Sequence, residues 1–221
     1  MERRPGTDPD RVTVLWCTTD GDERAQAHRL LLQSAAALLA VPVSELRVEH
    51  EPGGRPFLGG AGEGLAVSVS HARGVLALVL GAGCPVGVDV EVVRRLNAGA
   101  LARAYLDPVE TDWLRALPEA EQATGFLWLW TQKESAGKAL GQGLRDGGMS
   151  RRVPLPESWP PGDAAFLTPR RLPGHPDIRS AAGFTGGGRY VLGVARHCVD
   201  GGHGDCGVPV QVRRVDAPAP G

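Results

Sequence analysis

Residues 126–144 read FLWLWTQKESAGKALGQGL and hold the two lysines of the chain, Lys133 and Lys138; the other 22 of its 24 basic residues are arginines. An ammonium is a compact, flexible point charge, whereas guanidinium is a rigid fork. Two lysines within six residues therefore mark a place where the smaller head is wanted. The spacing predicts a helix. Phe126, Leu129, Trp130, Lys133, Gly137 and Leu140 fall on one side, and Leu127, Thr131, Glu134 and Lys138 on the other. Gly141 and Gly143 stop it. Taken alone, the segment is equally a surface helix with one Glu134–Lys138 pair.

Working outward, the next informative stretch is Pro85–Glu91, PVGVDVE. It reads as a strand with Val86, Val88 and Val90 on one face and the carboxylates Asp89 and Glu91 together on the other. Two carboxylates at the end of a buried strand repel each other. Either the strand end faces solvent, or a hard dication with oxygen ligands removes the conflict.

Before it, Leu65–His71 and Gly74–Leu80 predict an antiparallel hairpin with Ser70 and His71 at its tip. Arg11–Thr18 predicts a strand, Glu23–Ala40 a helix and Val43–Glu49 a short strand. The helix carries an apolar face of Ala25, His28, Leu31, Leu32, Ala35, Leu38 and Leu39. Glu51–Gly60, EPGGRPFLGG, reads as a turn-rich loop around Arg55.

After the acidic strand, Arg94–Ala104 predicts a helix. Asp107, Pro108 and Glu110 have the spacing of a capped helix start, with Pro at the first helical position. Beyond Leu144 short strands are expected at 164–168, 178–184 and 190–195. Residues 197–221 are expected to be a loose tail, where His203 with Cys206 carries little weight as a metal pair, and Met1–Asp10 is expected to fray.

Composition bounds the rest. With 221 residues, 42% hydrophobic content and a net charge of −1, a globular protein is expected and a nucleic-acid partner is not. No apolar run of membrane-spanning length occurs. The N-terminus does not read as a secretory signal, so a cytoplasmic location is expected. Cys17, Cys84, Cys198 and Cys206 form no C-x-x-C pair and are expected to be reduced. Neither G-x-x-x-x-G-K-[ST] nor G-x-G-x-x-G after a strand is present. Any phosphate chemistry must then come from side chains and a metal.

Gly87-Val-Asp89-Val-Glu91 followed by Trp130-Thr-Gln-Lys133-Glu134-Ser-Ala-Gly-Lys138 resembles the 4′-phosphopantetheinyl transferases of the larger, two-lobed class. Supporting pieces are Ser68-Val-Ser70-His71, Gly54-Arg55-Pro56-Phe57, His28-Arg29 and the Tyr190–Ala195 strand. Together they cover roughly residues 11 to 198.

The resemblance implies an α+β fold of two similar lobes, each a small antiparallel sheet with a long helix, related by a pseudo-two-fold. The lobes would span 1–85 and 86–200, with the site in the cleft and a flexible tail at 201–221. It implies transfer of the phosphopantetheine arm of coenzyme A to a serine of an acyl or peptidyl carrier protein, releasing adenosine 3′,5′-bisphosphate. Asp89, Glu91 and Glu134 would hold Mg²⁺, Glu134 or a metal-bound water would be the base, and Lys138 would stabilise the pyrophosphate, assisted by Lys133. Arg29, Arg55, Ser70 and His71 would hold the nucleotide phosphates. A monomer is expected.

Two departures from the family pattern stand out. The segment between first strand and first helix is short, and Arg55 replaces a common lysine. Another Mg²⁺-dependent phosphate-ester enzyme and an idle carrier-binding module are the competing readings.

Overall fold

The computed structural model describes residues 12–144, 148–162, 164–198 and 209–218. Met1–Asp10, the start of the first predicted strand at Arg11, and the His203/Cys206 pair lie outside them.

The fold is α+β, built in four layers: helix, sheet, sheet, helix. One sheet has the order β4–β5–β1–β11–β7, from Leu65–Ala72, Val75–Ala82, Val12–Thr18, Val210–Arg214 and Phe166–Leu167. The other has the order β6–β10–β9–β8, from Val86–Val92, Tyr190–His197, His175–Thr185 and Arg170–Leu172. All their pairings are antiparallel except β1 with β11, which is parallel.

Strand alternation sets the layers. Val12, Val14 and Trp16 of β1 and Val75, Ala77 and Val79 of β5 point into the space between the sheets. There they meet Val86, Val88 and Val90 of β6 and Leu192 and Val194 of β10. The opposite residues of the first sheet, Cys17, Leu76, Leu78 and Leu80, pack on α1, Glu23–Leu39, through Leu30, Leu31 and Ala35. The outer face of the second sheet, with Val191, Ala195, Ile178 and Ala182, packs on α4, Glu119–Ala139.

Helix α1 begins at Asp22, whose carboxylate caps the Arg24 and Ala25 amides. Its buried face runs through Ala27, Leu30, Leu31 and Ala35. The expected face was rotated: Ala25 is only half-buried and His28 is exposed. Val43–Glu45 is a 3₁₀ turn and only Leu46–His50 forms a strand, β2. The expected loop at 51–60 is corrected as well, because Pro56–Gly60 forms β3 and pairs antiparallel with β2. Gly and Pro density hid that hairpin.

Helices α2, Ala98–Tyr105, and α3, Pro108–Ala116, lead into α4. The capping box at Asp107 and Glu110 forms as the sequence predicts. From Gly125 on, helix α4 is buried nearly all round, and its half-exposed stripe holds Trp130, Glu134 and Lys138, four residues apart each time. Trp130 thus lies on the face of Glu134 and Lys138, not opposite them as expected. Gly141 and Gly143 end the helix with positive φ, as expected.

Close approach of α4 to the second sheet depends on glycine. A Cβ on Gly87 would lie 2.0 Å from the Ser135 carbonyl oxygen and 2.6 Å from the Ala139 amide. Both atoms are helix backbone, so relief requires moving α4 itself. Gly87→Ala is expected to lower stability by at least about 1–3 kcal/mol, the usual cost of overpacking. Chemical denaturation checks this; a variant as stable as wild type would refute the tight contact.

Two expectations about the C-terminal part are corrected. Val210–Arg214, inside the expected flexible tail, is strand β11 beside β1. Cys17 and Cys84 are free thiols, but Cys198 is disulfide-bonded, so the expectation of reduced cysteines fails there.

Candidate functional site

Strand β6 is an edge strand, and its free edge faces β4, the edge of the other sheet. An open edge leaves amides and carbonyls unpaired. Here side chains pair them. The Val88 amide donates to Ser68 Oγ at 3.2 Å and the Val90 amide donates to Ser70 Oγ at 3.4 Å. Lys138 Nζ donates to the Val88 carbonyl at 3.0 Å. No role for Ser68 follows from the sequence motif; two serines at period 2 on an edge strand are the signal that points to one.

The same groups close on Asp89, which is 6% exposed. Ser70 Oγ donates to Asp89 Oδ1 at 2.7 Å, and Lys138 Nζ donates to the same oxygen at 2.8 Å. Asp89 Oδ2 is buried with no hydrogen-bond partner. Glu91, two residues along β6, is ion-paired with Arg94. Glu134, one helical turn before Lys138, has its carboxyl pushed above the usual range, first by burial and then by the Asp89 charge. Lys138 offsets part of this, and Glu91 adds to it.

Glu134 therefore feels the charge of both other carboxylates. Among the described residues, no three His, Cys, Asp or Glu side chains are grouped closely enough to hold an ion as they lie. Asp89 is turned to Lys138 and Glu91 to Arg94, each toward its own cation.

A carboxyl whose folded pKa is raised stabilises the fold fully below its unfolded value and loses that contribution as pH rises through the folded value. Charged Glu134 is thus a cost at neutral pH. With EDTA present, Glu134→Gln is expected to melt higher than wild type at neutral pH. The gap should close on acidification below the ordinary glutamate range. Equal melting at both pH values would contradict the raised carboxyl.

The cationic candidates divide. Arg55 Nη1 stands 3.3 Å from where a Cβ on Gly141 would be, at the end of α4 just past Lys138. His71 is exposed, and its Nδ1 lies 3.0 Å from Glu23 Oε2, while Glu23 Oε1 accepts from the Gly74 amide at 2.9 Å. Glu23, expected only as the first residue of a helix, thus ties the hairpin tip to the start of α1. Arg29 is half-buried on α1, with its Nε buried and unpartnered.

Lys133 is not brought to this site. It is 0% exposed and ion-paired with Glu110 at 2.7 Å, and Nζ also donates to the Arg151 carbonyl. Burial lowers its pKa, and Glu110 works against that shift. Glu110 Oε1 accepts from the Val153 amide at 2.8 Å. The pair pins the 151–153 segment against α3 and α4. Contrary to the expected assisting role at the pyrophosphate, Lys133 lies closed off from solvent and away from the Asp89–Lys138 cluster.

Comparison with known proteins comes down on the same segment. Residues 85–184 match the family described as the 4′-phosphopantetheinyl transferase superfamily. The chain is 28% identical over 148 residues to 4′-phosphopantetheinyl transferase HetI of Nostoc sp., covering 59% of this chain and 62% of that protein. It is 34% identical over 116 residues to 4′-phosphopantetheinyl transferase AcpT of Salmonella typhimurium, covering 52% and 57%. A 60-residue stretch is 35% identical to 4′-phosphopantetheinyl transferase gsp of Aneurinibacillus migulanus, covering 27% and 25%. The chain thus spans less than two thirds of the length of each of these relatives.

Proposed function

We propose that this protein, whose residues 85–184 match the family described as the 4′-phosphopantetheinyl transferase superfamily, transfers the phosphopantetheine arm of coenzyme A to a serine of an apo acyl or peptidyl carrier protein. The observation that carries this reading is the meeting of the two sequence motifs: Lys138 of α4 bonds Asp89 of β6, with Glu134 inside the same field. The reading includes two lobes, 1–85 and 86–200, a monomeric enzyme, and a cytoplasmic location. Its support for a cleft between lobes is the seam of β4 hydroxyls against β6.

The donor set suits Mg²⁺. Asp89, Glu91 and Glu134 offer hard oxygens, their mutual repulsion calls for positive charge, and the buried Oδ2 of Asp89 has no partner. When bound, the ion supplies charge neutralisation at pyrophosphate oxygens.

The remaining roles belong to the chain's own residues. Lys138 has three N–H donors, of which the Val88 carbonyl and Asp89 take two. The third is free for a phosphate oxygen as charge grows on the leaving group. Glu134, with its raised carboxyl, takes the proton from the carrier serine. The serine oxygen then bonds phosphorus as the bridging P–O bond breaks, and adenosine 3′,5′-bisphosphate leaves. Arg55, His71 and Arg29 hold the nucleotide phosphates by charge-assisted hydrogen bonds. Glu23 on Nδ1 of His71 leaves Nε2 as the nitrogen for that task.

The test is incubation of several apo carriers with the protein, coenzyme A and Mg²⁺. A carrier mass gain of one phosphopantetheine is expected. No gain on any carrier, with coenzyme A still bound, would leave a binding module; hydrolysis of coenzyme A or another phosphate ester without transfer would indicate a different metal-dependent enzyme.

A further inference from the structure

A serine hydroxyl has one hydrogen to give. In Ser70 that hydrogen goes to Asp89 Oδ1 at 2.7 Å, and one acceptor position is filled by the Val90 amide at 3.4 Å. The side chain is buried, so bulk water does not compete. A phosphate group is an acceptor, and Ser70 has no donor left for it. The role first given to this residue, a phosphate contact, would require it to release the carboxylate.

The arrangement of Asp89 explains what the bond does. Oδ1 receives both Ser70 and Lys138, while Oδ2 receives nothing although it is equally out of water. A carboxylate free to rotate about its last bond would exchange the two oxygens. Two donors on one oxygen stop that exchange. Carboxylates that ligate metals are held in the same way by neighbouring hydrogen bonds, and losing such a partner weakens binding.

The geometry points to Ser70 as a positioning residue that, itself locked by the Val90 amide, turns Asp89 so that Oδ1 stays with Lys138 and Oδ2 is presented to the divalent cation. The proposal rests on the metal reading given above and adds a residue from the other sheet to it. It also separates Ser70 from Ser68. Ser68 pairs the Val88 amide in the same seam, but its hydroxyl makes no bond to Asp89.

Two titrations of the full chain test it. In the first, Mg²⁺ binding is measured by calorimetry without coenzyme A. Ser70→Ala is expected to raise the Kd about 10- to 100-fold. Ser70→Thr, which keeps the hydroxyl, is expected to restore it. Ser68→Ala, which loosens the seam without touching Asp89, is expected to stay within about twofold of wild type, since it removes no partner of a ligand. In the second, adenosine 3′,5′-bisphosphate binding is measured in EDTA. Ser70→Ala is expected to leave this unchanged.

If Ser70→Ala weakens the nucleotide in EDTA and not Mg²⁺, Ser70 is a phosphate contact and the proposal is overturned. If Ser68→Ala weakens Mg²⁺ as much as Ser70→Ala, the effect belongs to the seam as a whole and the proposal also fails. Wild-type protein that binds no Mg²⁺ would overturn the metal reading and this proposal together. Equal Mg²⁺ affinity in wild type and Ser70→Ala overturns the proposal alone.

Discussion

Asp89→Asn is expected to lower the rate of carrier modification by on the order of 10³-fold. Metal-assisted neutralisation of a transferring phosphoryl group contributes several kcal/mol, and each ~1.4 kcal/mol is tenfold in rate. Asparagine keeps the size of the side chain and an oxygen for Ser70 and Lys138, so the seam between β4 and β6 survives. What it removes is the charge that pairs with Lys138 at 2.8 Å and the free carboxylate oxygen beside it. It also relieves Glu134, whose carboxyl the Asp89 charge helps push upward. The variant should therefore melt no lower than wild type in EDTA while losing turnover. Quantitative mass spectrometry of the carrier, set beside a melting curve, reads both. Turnover within tenfold of wild type would remove Asp89 from the chemistry.

The second large effect is on stability. Glu110→Ala leaves Lys133 fully buried without its ion-pair partner and takes the acceptor from the Val153 amide. Breaking a buried pair from one side costs about 3–5 kcal/mol. For a chain of this size that is a drop of roughly 6–20 °C in Tm. The double variant Glu110→Gln with Lys133→Met keeps an acceptor oxygen and removes both charges. It is expected to recover most of the loss, because a buried pair replaced by neutral groups of similar volume is often close to neutral. Calorimetry measures the loss and the recovery. Lys133→Met should act in the same way, through stability and not through coenzyme A binding. A Lys133→Met protein of normal stability with weakened coenzyme A binding would return Lys133 to the phosphate site.

These two residues show how far the sequence could be read. The preference for lysine over arginine at 133 and 138 did mark compact-head positions, but for two different reasons. Lys138 bonds a carboxylate and a carbonyl of β6, and Lys133 fits a slot closed to water. Spacing puts them on different faces of α4, yet no local pattern says which face is dry. Glu110 was fully explained by the capping box, which does form, and that local explanation concealed its second partner.

The acidic strand was legible because period 2 separates Val86, Val88 and Val90 from Asp89 and Glu91, and the core between the sheets takes the valines. That Asp89 and Glu91 each face a separate cation depends on Arg94 and Lys138 together, which periodicity does not show. Strand β11 was missed because Gly and Pro around it resemble a tail, although Val210 and Val212 alternate with polar neighbours as β1 does. Its pairing partner lies almost two hundred residues away, beyond the reach of any window on the sequence.

The side-by-side run of β11 with β1 fixes an order of events during synthesis. Until residue 214 has left the ribosome, β1 keeps one bare edge, and β7, which pairs with β11, has no neighbour there. The sheet of β1, β4 and β5 is finished only when residues 210–214 reach it, and so distant a pairing is expected to form slowly. A chain interrupted shortly after Cys198 would leave that edge open to self-association rather than yielding a working first half.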